Sequence, residues 1–236
     1  MQLAYELIIF DLAGTTVHDG DAVNAALRAA LHQAGLRVPP AAVNRVMGLP
    51  KPEALRLLIQ EFDASGAVLG QLEQIHSEFA VALRRHYQTG AQVREIAGAS
   101  AVFRALHEAG VMVALNTGFS REITETLLER LGWDDEALID ATISSDEVER
   151  GRPFPDMIQR LMAQLNVRHP QHVVKVGDTP SDILEGRNAG CGLVIAVTQG
   201  SHTRAELLPC GADALLGTVA ELPAFLGLAP LLNSIH

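Results

Sequence analysis

An apolar run between Tyr5 and Phe10, rich in isoleucine and aromatics and too short for a helix, predicts a buried parallel strand that stops at a carboxylate, Asp11. The pattern then changes period. Apolar positions recur at helical spacing from Asp21 to Ala34, where Gly35 ends the run, and again over Ala41–Met47, Pro52–Phe62 and Leu69–Tyr87. Gly-Leu-Pro and Asp63-Ala-Ser-Gly separate these helices, and no strand-like alternation interrupts them. From Val93 onward short apolar runs alternate with helical stretches. Strands are expected at Val111–Leu115, Ala141–Ile143, His172–Val176 and Leu193–Val197. Helices are expected at Ala99–Ala109, Arg121–Leu131 with Ser120 as cap, Asp156–Leu165 and Ile183–Ala189, and a last strand–helix pair ends near Leu226.

Alternation of this kind belongs to right-handed crossovers on a parallel sheet. The expected fold is therefore α/β, a Rossmann-like parallel sheet with an inserted all-helical cap. Residues 1–17 and 93–236 form the core and residues 18–92 the cap. The segments Thr16–Gly20 and Thr89–Val93 are the expected hinges.

Composition narrows the partners more than the fold. A formal net charge of -10, with no basic run to override it, argues against general affinity for nucleic acid or anionic membranes. No apolar stretch approaches the roughly 18 residues of a membrane span, and Met1–Glu6 lacks the start of a signal peptide, so a cytoplasmic location is expected. Cys191 and Cys210 have neither metal spacing nor a disulfide framework and read as packing residues. Of the 18 basic residues only Lys51 and Lys175 are lysines. A chain that otherwise uses arginine draws attention to what an amine can do and a guanidinium cannot, such as forming an imine.

The candidate chemistry collects at strand ends. Asp11 precedes Gly14-Thr15-Thr16, a tight turn whose amides and hydroxyls suit an anion, and later strands run into Asn116-Thr117-Gly118 and Gly177-Asp178-Thr179. With adjacent parallel strands, Asp11, Thr117, Arg152 and Asp178 meet at one sheet edge. Two carboxylates with backbone and water oxygens suit Mg²⁺, which keeps several waters and binds phosphates. A carboxylate oxygen of Asp11 is then a candidate nucleophile, with Thr117 and Arg152 on the equatorial oxygens of a phosphoryl group. Read alone, Asp182 also fits a helix cap, Gly118 a turn, and Lys175 a structural role inside its strand.

The segments Asp11-Leu12-Ala13-Gly14-Thr15-Thr16, Thr117-Gly118, Gly151-Arg152-Pro153-Phe154-Pro155, Gly177-Asp178-Thr179 through Asp182, and Glu185 through Gly190 resemble the haloacid dehalogenase superfamily, and within it the phosphonatase group. That resemblance spans about residues 5 to 200. It implies Asp11 as nucleophile and Mg²⁺ ligand, the Ala13 carbonyl and Asp178 as further ligands, and Asp182 as a support. Thr15, Thr117, Gly118 and Arg152 become the phosphate contacts. Met47 and Phe119 are candidates to line the substrate chamber, with packing in the cap or core as the alternative.

Position 13 separates two chemistries. Phosphatases of the superfamily place a second Asp two residues after the nucleophile to protonate the leaving alkoxide, and losing a general acid costs roughly 10²- to 10⁴-fold. Here that residue is Ala13. Met47-Gly48-Leu49-Pro50-Lys51 resembles the phosphonatase segment that bears an imine-forming lysine. The resemblance implies a Mg²⁺-dependent hydrolase that cleaves the carbon–phosphorus bond of phosphonoacetaldehyde or a related 2-oxo-alkylphosphonate, with Asp11, Lys51 and Arg152 catalytic. The alternative is a phosphatase of small monoesters such as phosphoglycolate. One departure is Ala54, where phosphonatases carry a histidine; His18, His76 and His86 are the candidates to replace it. The resemblance also implies a homodimer through the cap.

Overall fold

The computed structural model describes residues 4–134 and 137–228. The part of the Met1–Glu6 reading that falls on residues 1–3 therefore lies outside the described residues. Among the described residues eight strands are present: β1 (Leu7–Phe10), β2 (Val17–His18), β3 (Arg94–Glu95), β4 (Met112–Thr117), β5 (Ala141–Ser144), β6 (Val173–Gly177), β7 (Leu193–Val197) and β8 (Ala214–Leu216). Six of them form one sheet in the order β5-β4-β1-β6-β7-β8, all pairs parallel. β1 lies in the middle, with Phe10 beside Leu115 on one side and Val176 on the other. This register brings the residues just after β1, β4 and β6 to the same edge. Because chain order reverses around β1, that edge is also the switch point at which open α/β sheets bind ligands.

The continuous apolar strand follows from burial on both faces. Ile8 and Phe10 join a cluster with α5 (Ala99–Glu108) and the cap, while Leu7 and Ile9 point the other way onto α7 (Asp156–Gln164) and α8 (Pro180–Ala189). The remaining core helices are α6 (Arg121–Leu131), α9 (Arg204–Leu207) and α10 (Leu222–Phe225). Among the described residues no helix is long and apolar enough to cross a membrane.

Between β1 and β4 the chain builds the cap from α1 (Ala22–Gln33), α2 (Pro40–Asn44), α3 (Lys51–Phe62) and α4 (Leu72–Thr89). Their apolar stripes meet in Leu27, Leu31, Leu55, Ile59, Phe79 and Leu83, all buried. α2 ends three residues before the predicted Met47. There Val46 and Met47 donate to the carbonyls three positions back, a tightening that carries the chain into turns. α3 starts one residue earlier than predicted, so Lys51 opens it and Pro52 occupies the first turn, where a missing N–H costs nothing.

Two other details depart from the pattern. Ser120 stands at the N-terminus of α6 but its hydroxyl makes no cap bond; the Asp146 carboxylate accepts from the Arg121 amide instead. A ribbon too short to show periodicity lies inside the first predicted hinge and immediately after the second. β2 and β3 pair antiparallel, Val17 with Glu95 and His18 with Arg94.

The cap rests directly on the sheet edge. Ser181 Oγ donates to the Met47 carbonyl at 3.1 Å, and Arg84 of α4 pairs with Glu122 of α6. Gly48 lies so close to the Thr179 hydroxyl that a Cβ would come within 2.3 Å of it, and at φ +84° the backbone also favours glycine.

Candidate active site

At the end of β1, Asp11 is buried and its Oδ1 accepts from Arg152 Nη1 at 2.7 Å. Arg152 is held by three acidic residues and Asn116. Nε donates to Glu185 at 2.9 Å, Nη2 to the Asn116 carbonyl and side-chain oxygen at 2.8 and 2.7 Å, and Nη1 is shared between Asp11 and Asp182, the latter at 3.0 Å. Four hydrogen bonds thus hold the guanidinium, and its Nη1 also forms an ion pair with Asp182. In this geometry its charge acts through Asp11. Lys175, fully buried in β6, binds the same frame: Asn116 Oδ1 at 2.6 Å, Asp182 at 3.0 Å and Glu185 at 3.3 Å.

Asp182 performs two tasks. Its Oδ2 accepts from the Thr179 amide and hydroxyl, closing a capping box at the start of α8, and its Oδ1 pairs with both Arg152 and Lys175. Burial opposes ionisation of Asp182, yet these two cations and the Thr179 hydroxyl hold its pKa below the usual carboxylate range. Asp178 is the contrasting case. It receives Thr15 Oγ1 at 3.1 Å and the Ser201 amide and hydroxyl at 2.7 Å, and no basic side chain among the described residues. Burial, with the charges of Asp11 and Asp182, pushes its pKa to about 7. Asp11 is also raised, by burial and by Asp182.

Ligand oxygens of Asp11, Asp178 and Asp182 lie within 4.8 Å of one another. Arg152 and Lys175 are shared among Asp11, Asp182 and Glu185, and Asp178 has no basic partner among the described residues, so negative charge stays in excess around Asp11 and Asp178. A hard divalent cation held by those two carboxylates would relieve it, and the residues therefore fit Mg²⁺. Ala13 borders the same chamber.

Across the chamber lies Lys51, 4% exposed although a lysine. Its Nζ donates to the Leu49 carbonyl at 3.1 Å and sits 5.3 Å above the centre of the Phe119 ring. Burial lowers its pKa from 10.5 to about 8, although Asp11 pulls upward. The neutral fraction near neutral pH rises roughly 300-fold, the amount expected for that displacement.

Met47, Gly48, Lys51, Thr117, Gly118, Phe119 and Arg152 line the chamber with Asp11. Thr117 Oγ1 accepts from the Phe119 amide, which leaves its proton free to point at a ligand. Thr15 is turned toward Asp178 instead. The volume between these residues is about 20 Å³, room for about one water. A second chamber of about 170 Å³ continues from it past Ala13, Val23, Met47 and Ser201. Larger grooves, of about 690 and 700 Å³, contain none of the predicted site residues.

The model for haloacid dehalogenase-like hydrolases matches residues 8–196, most of the chain. The chain belongs to that family. Among curated relatives, this haloacid dehalogenase-like hydrolase is 31% identical to a phosphonoacetaldehyde hydrolase of Bacillus cereus over 218 residues, covering 86% of this chain and 80% of the relative. It is also 31% identical to one of Bacillus cytotoxicus over 221 residues, with the same coverage. Among solved structures, a phosphonoacetaldehyde hydrolase-like protein of Oleispira antarctica superposes with a TM-score of 0.83 at 25% identity, over 96% of this chain and 94% of that one. A predicted phosphoglycolate phosphatase of Haemophilus somnus superposes with a TM-score of 0.78 at 18% identity, over 95% and 99%, a likeness of fold.

Several groups of this hydrolase's site were given no role from sequence, two of them although they lie in quoted motifs. Asn116 and Glu185 complete the cradle of Arg152, and Ser201 holds Asp178. Asp19 is buried and accepts from the Tyr87 hydroxyl at 3.2 Å, and the edge of Tyr87 meets the Phe119 ring. The only signal for Asn116 is its type: a polar residue inside an otherwise apolar run. Of the histidines, His86 Nε2 donates to the Asp19 carbonyl, His76 stacks on Phe79, and His18 borders the second chamber. Ala54 is fully buried one turn after Lys51.

Proposed function

We propose that this hydrolase cleaves the carbon–phosphorus bond of phosphonoacetaldehyde or a related 2-oxo-alkylphosphonate. The observation that carries the reading is the buried amine of Lys51, lowered toward neutral pH, in one chamber with the strand-end carboxylate Asp11 and with alanine where an acid would serve an ester. The names of the relatives at about 30% identity support it. Residues 18–92 act as a cap hinged beside the β2–β3 ribbon, opening to admit substrate.

Neutral Lys51 attacks the carbonyl, and loss of water leaves a protonated imine. Asp11, oriented by Arg152, attacks phosphorus. The carbon–phosphorus bond breaks and its electron pair moves into the imine, giving an enamine. Protonation at carbon and hydrolysis return the free amine and an aldehyde or ketone, and water cleaves the aspartyl-phosphate to release phosphate. Thr117 and Gly118 bind the phosphoryl oxygens. When bound, Mg²⁺ on Asp11, Asp178 and the Ala13 carbonyl supplies charge neutralisation, so an anionic phosphoryl group can approach a carboxylate.

Phosphate release from a phosphonate and an ester panel tests this against a monoester phosphatase. Asp11→Asn is expected to abolish every activity. Lys51→Arg is expected to abolish phosphonate cleavage alone. Turnover of phosphoglycolate above phosphonoacetaldehyde, only weakened by Lys51→Arg, would favour the phosphatase.

A further inference from the structure

Asp178 is wrapped by the loop after β7. A Cβ on Gly200 would fall within 2.2 Å of Asp178 Oδ2, and the next residue, Ser201, gives that oxygen both its amide and its hydroxyl at 2.7 Å. The hydroxyl has one proton. Donated to an ionised carboxylate, that proton is spent, and the oxygen is left with lone pairs only. His202 Nδ1 lies 3.0 Å from it. A nitrogen facing an oxygen that has no proton to offer must carry the proton itself. His202 is therefore the Nδ1–H tautomer when neutral, the minor form of free imidazole. The side chain is 6% exposed, and the turn beyond it is tied by the capping box of Thr203 and Glu206.

We propose that His202 is a positioning residue: its Nδ1–H holds the Ser201 hydroxyl on Asp178, and this sets how tightly the site binds a divalent cation. Without that donor the hydroxyl is free to rotate, and Asp178 loses an aligned partner for its ligating form. Groups that orient a metal ligand from behind are worth roughly 10- to 100-fold in metal affinity. His202 acts one bond further out, so about three- to tenfold is expected. The proposal rests on Asp178 being a Mg²⁺ ligand, and the measurements below separate the two.

Mg²⁺ affinity is measured by isothermal titration calorimetry on the whole protein. His202→Leu is expected to weaken binding about three- to tenfold. His202→Asn, whose amide N–H reaches the place of Nδ1, is expected to stay within about twofold, whereas His202→Gln, which reaches toward Nε2, follows leucine. Ser201→Ala is expected to weaken binding at least as much as His202→Leu, and the double variant no further, because both remove one hydrogen bond. Long-range ¹H–¹⁵N spectra of the wild type, with the His202 signals assigned by their loss in His202→Asn, are expected to show protonated Nδ1 and bare Nε2.

A bare Nδ1, unchanged affinity in His202→Leu, or additive losses in the double variant would overturn the role of His202 while leaving Asp178 as ligand. Failure of the wild type to bind Mg²⁺ overturns both.

Discussion

Replacing Phe119 with leucine tests how the chamber sets the reactivity of Lys51. The amine lies 5.3 Å above the ring, and an ammonium held over an aromatic face gains about 1 kcal/mol, up to about 2 when shielded from water. The neutral amine gains nothing comparable. Leucine keeps the site apolar, so the burial that lowers the Lys51 pKa to about 8 persists while the stabilisation of its charged form is lost. At about 1.4 kcal/mol per pH unit, the titration moves toward lower pH by roughly 0.7. At pH 7 the neutral share rises from roughly a tenth to roughly a third.

The sign follows from the chemistry: the ammonium cannot attack, so kcat/KM for phosphonoacetaldehyde falls as pH drops through the Lys51 titration. In Phe119→Leu that acid limb is expected at lower pH, with activity near pH 7 rising about three- to fourfold if the amine keeps its place. The assay is phosphate release between about pH 6 and pH 9, with borohydride trapping at each pH as a second readout. An acid limb that stays put, or moves upward because water reaches the amine, would refute the reasoning.

Two further changes probe the surroundings. Ala13→Asp supplies the missing acid beside Asp11 and is expected to raise turnover of phosphate monoesters by up to roughly 10²- to 10⁴-fold without improving phosphonate cleavage; kcat/KM for phosphoglycolate reads this, and no gain would mean the site lacks more than an acid. Arg152→Lys leaves Glu185 and Asn116 short of donors in a dry site. A broken buried ion pair costs about 3–5 kcal/mol, so the melting temperature is expected to fall by roughly 6–20 °C, and an unchanged melting temperature would show that Lys175 alone holds the frame.

Much of the architecture was legible because it obeys local rules. The apolar run ending at Asp11, the helical spacing before Val93 and the alternation after it correspond to β1, the cap and the crossovers. The β2–β3 ribbon was not legible, since two residues carry no period. Within the site, Asp11, Thr117 and Asp178 were named from strand ends and Arg152 from the Gly151–Pro155 segment, but the partition of charge was not. Nothing in the spacing says that Asn116, Asp182 and Glu185 surround Arg152 and are shared with Lys175. Such a network depends on side chains from four separate segments meeting in three dimensions. The contrast between Asp178, without a cation, and Asp182, with two, has the same origin. Lys51 stood out by rarity, whereas its seat over Phe119 and its lowered pKa required the cap to be docked.

The central claim is that Lys51 becomes covalently bound to substrate carbon during turnover. Reaction mixtures with phosphonoacetaldehyde, quenched with borohydride and digested, test it by mass spectrometry. The account predicts an N-alkyl group derived from the substrate on the peptide containing Lys51, absent when substrate is omitted. An unmodified Lys51 peptide from enzyme caught while releasing phosphate from the phosphonate would contradict it.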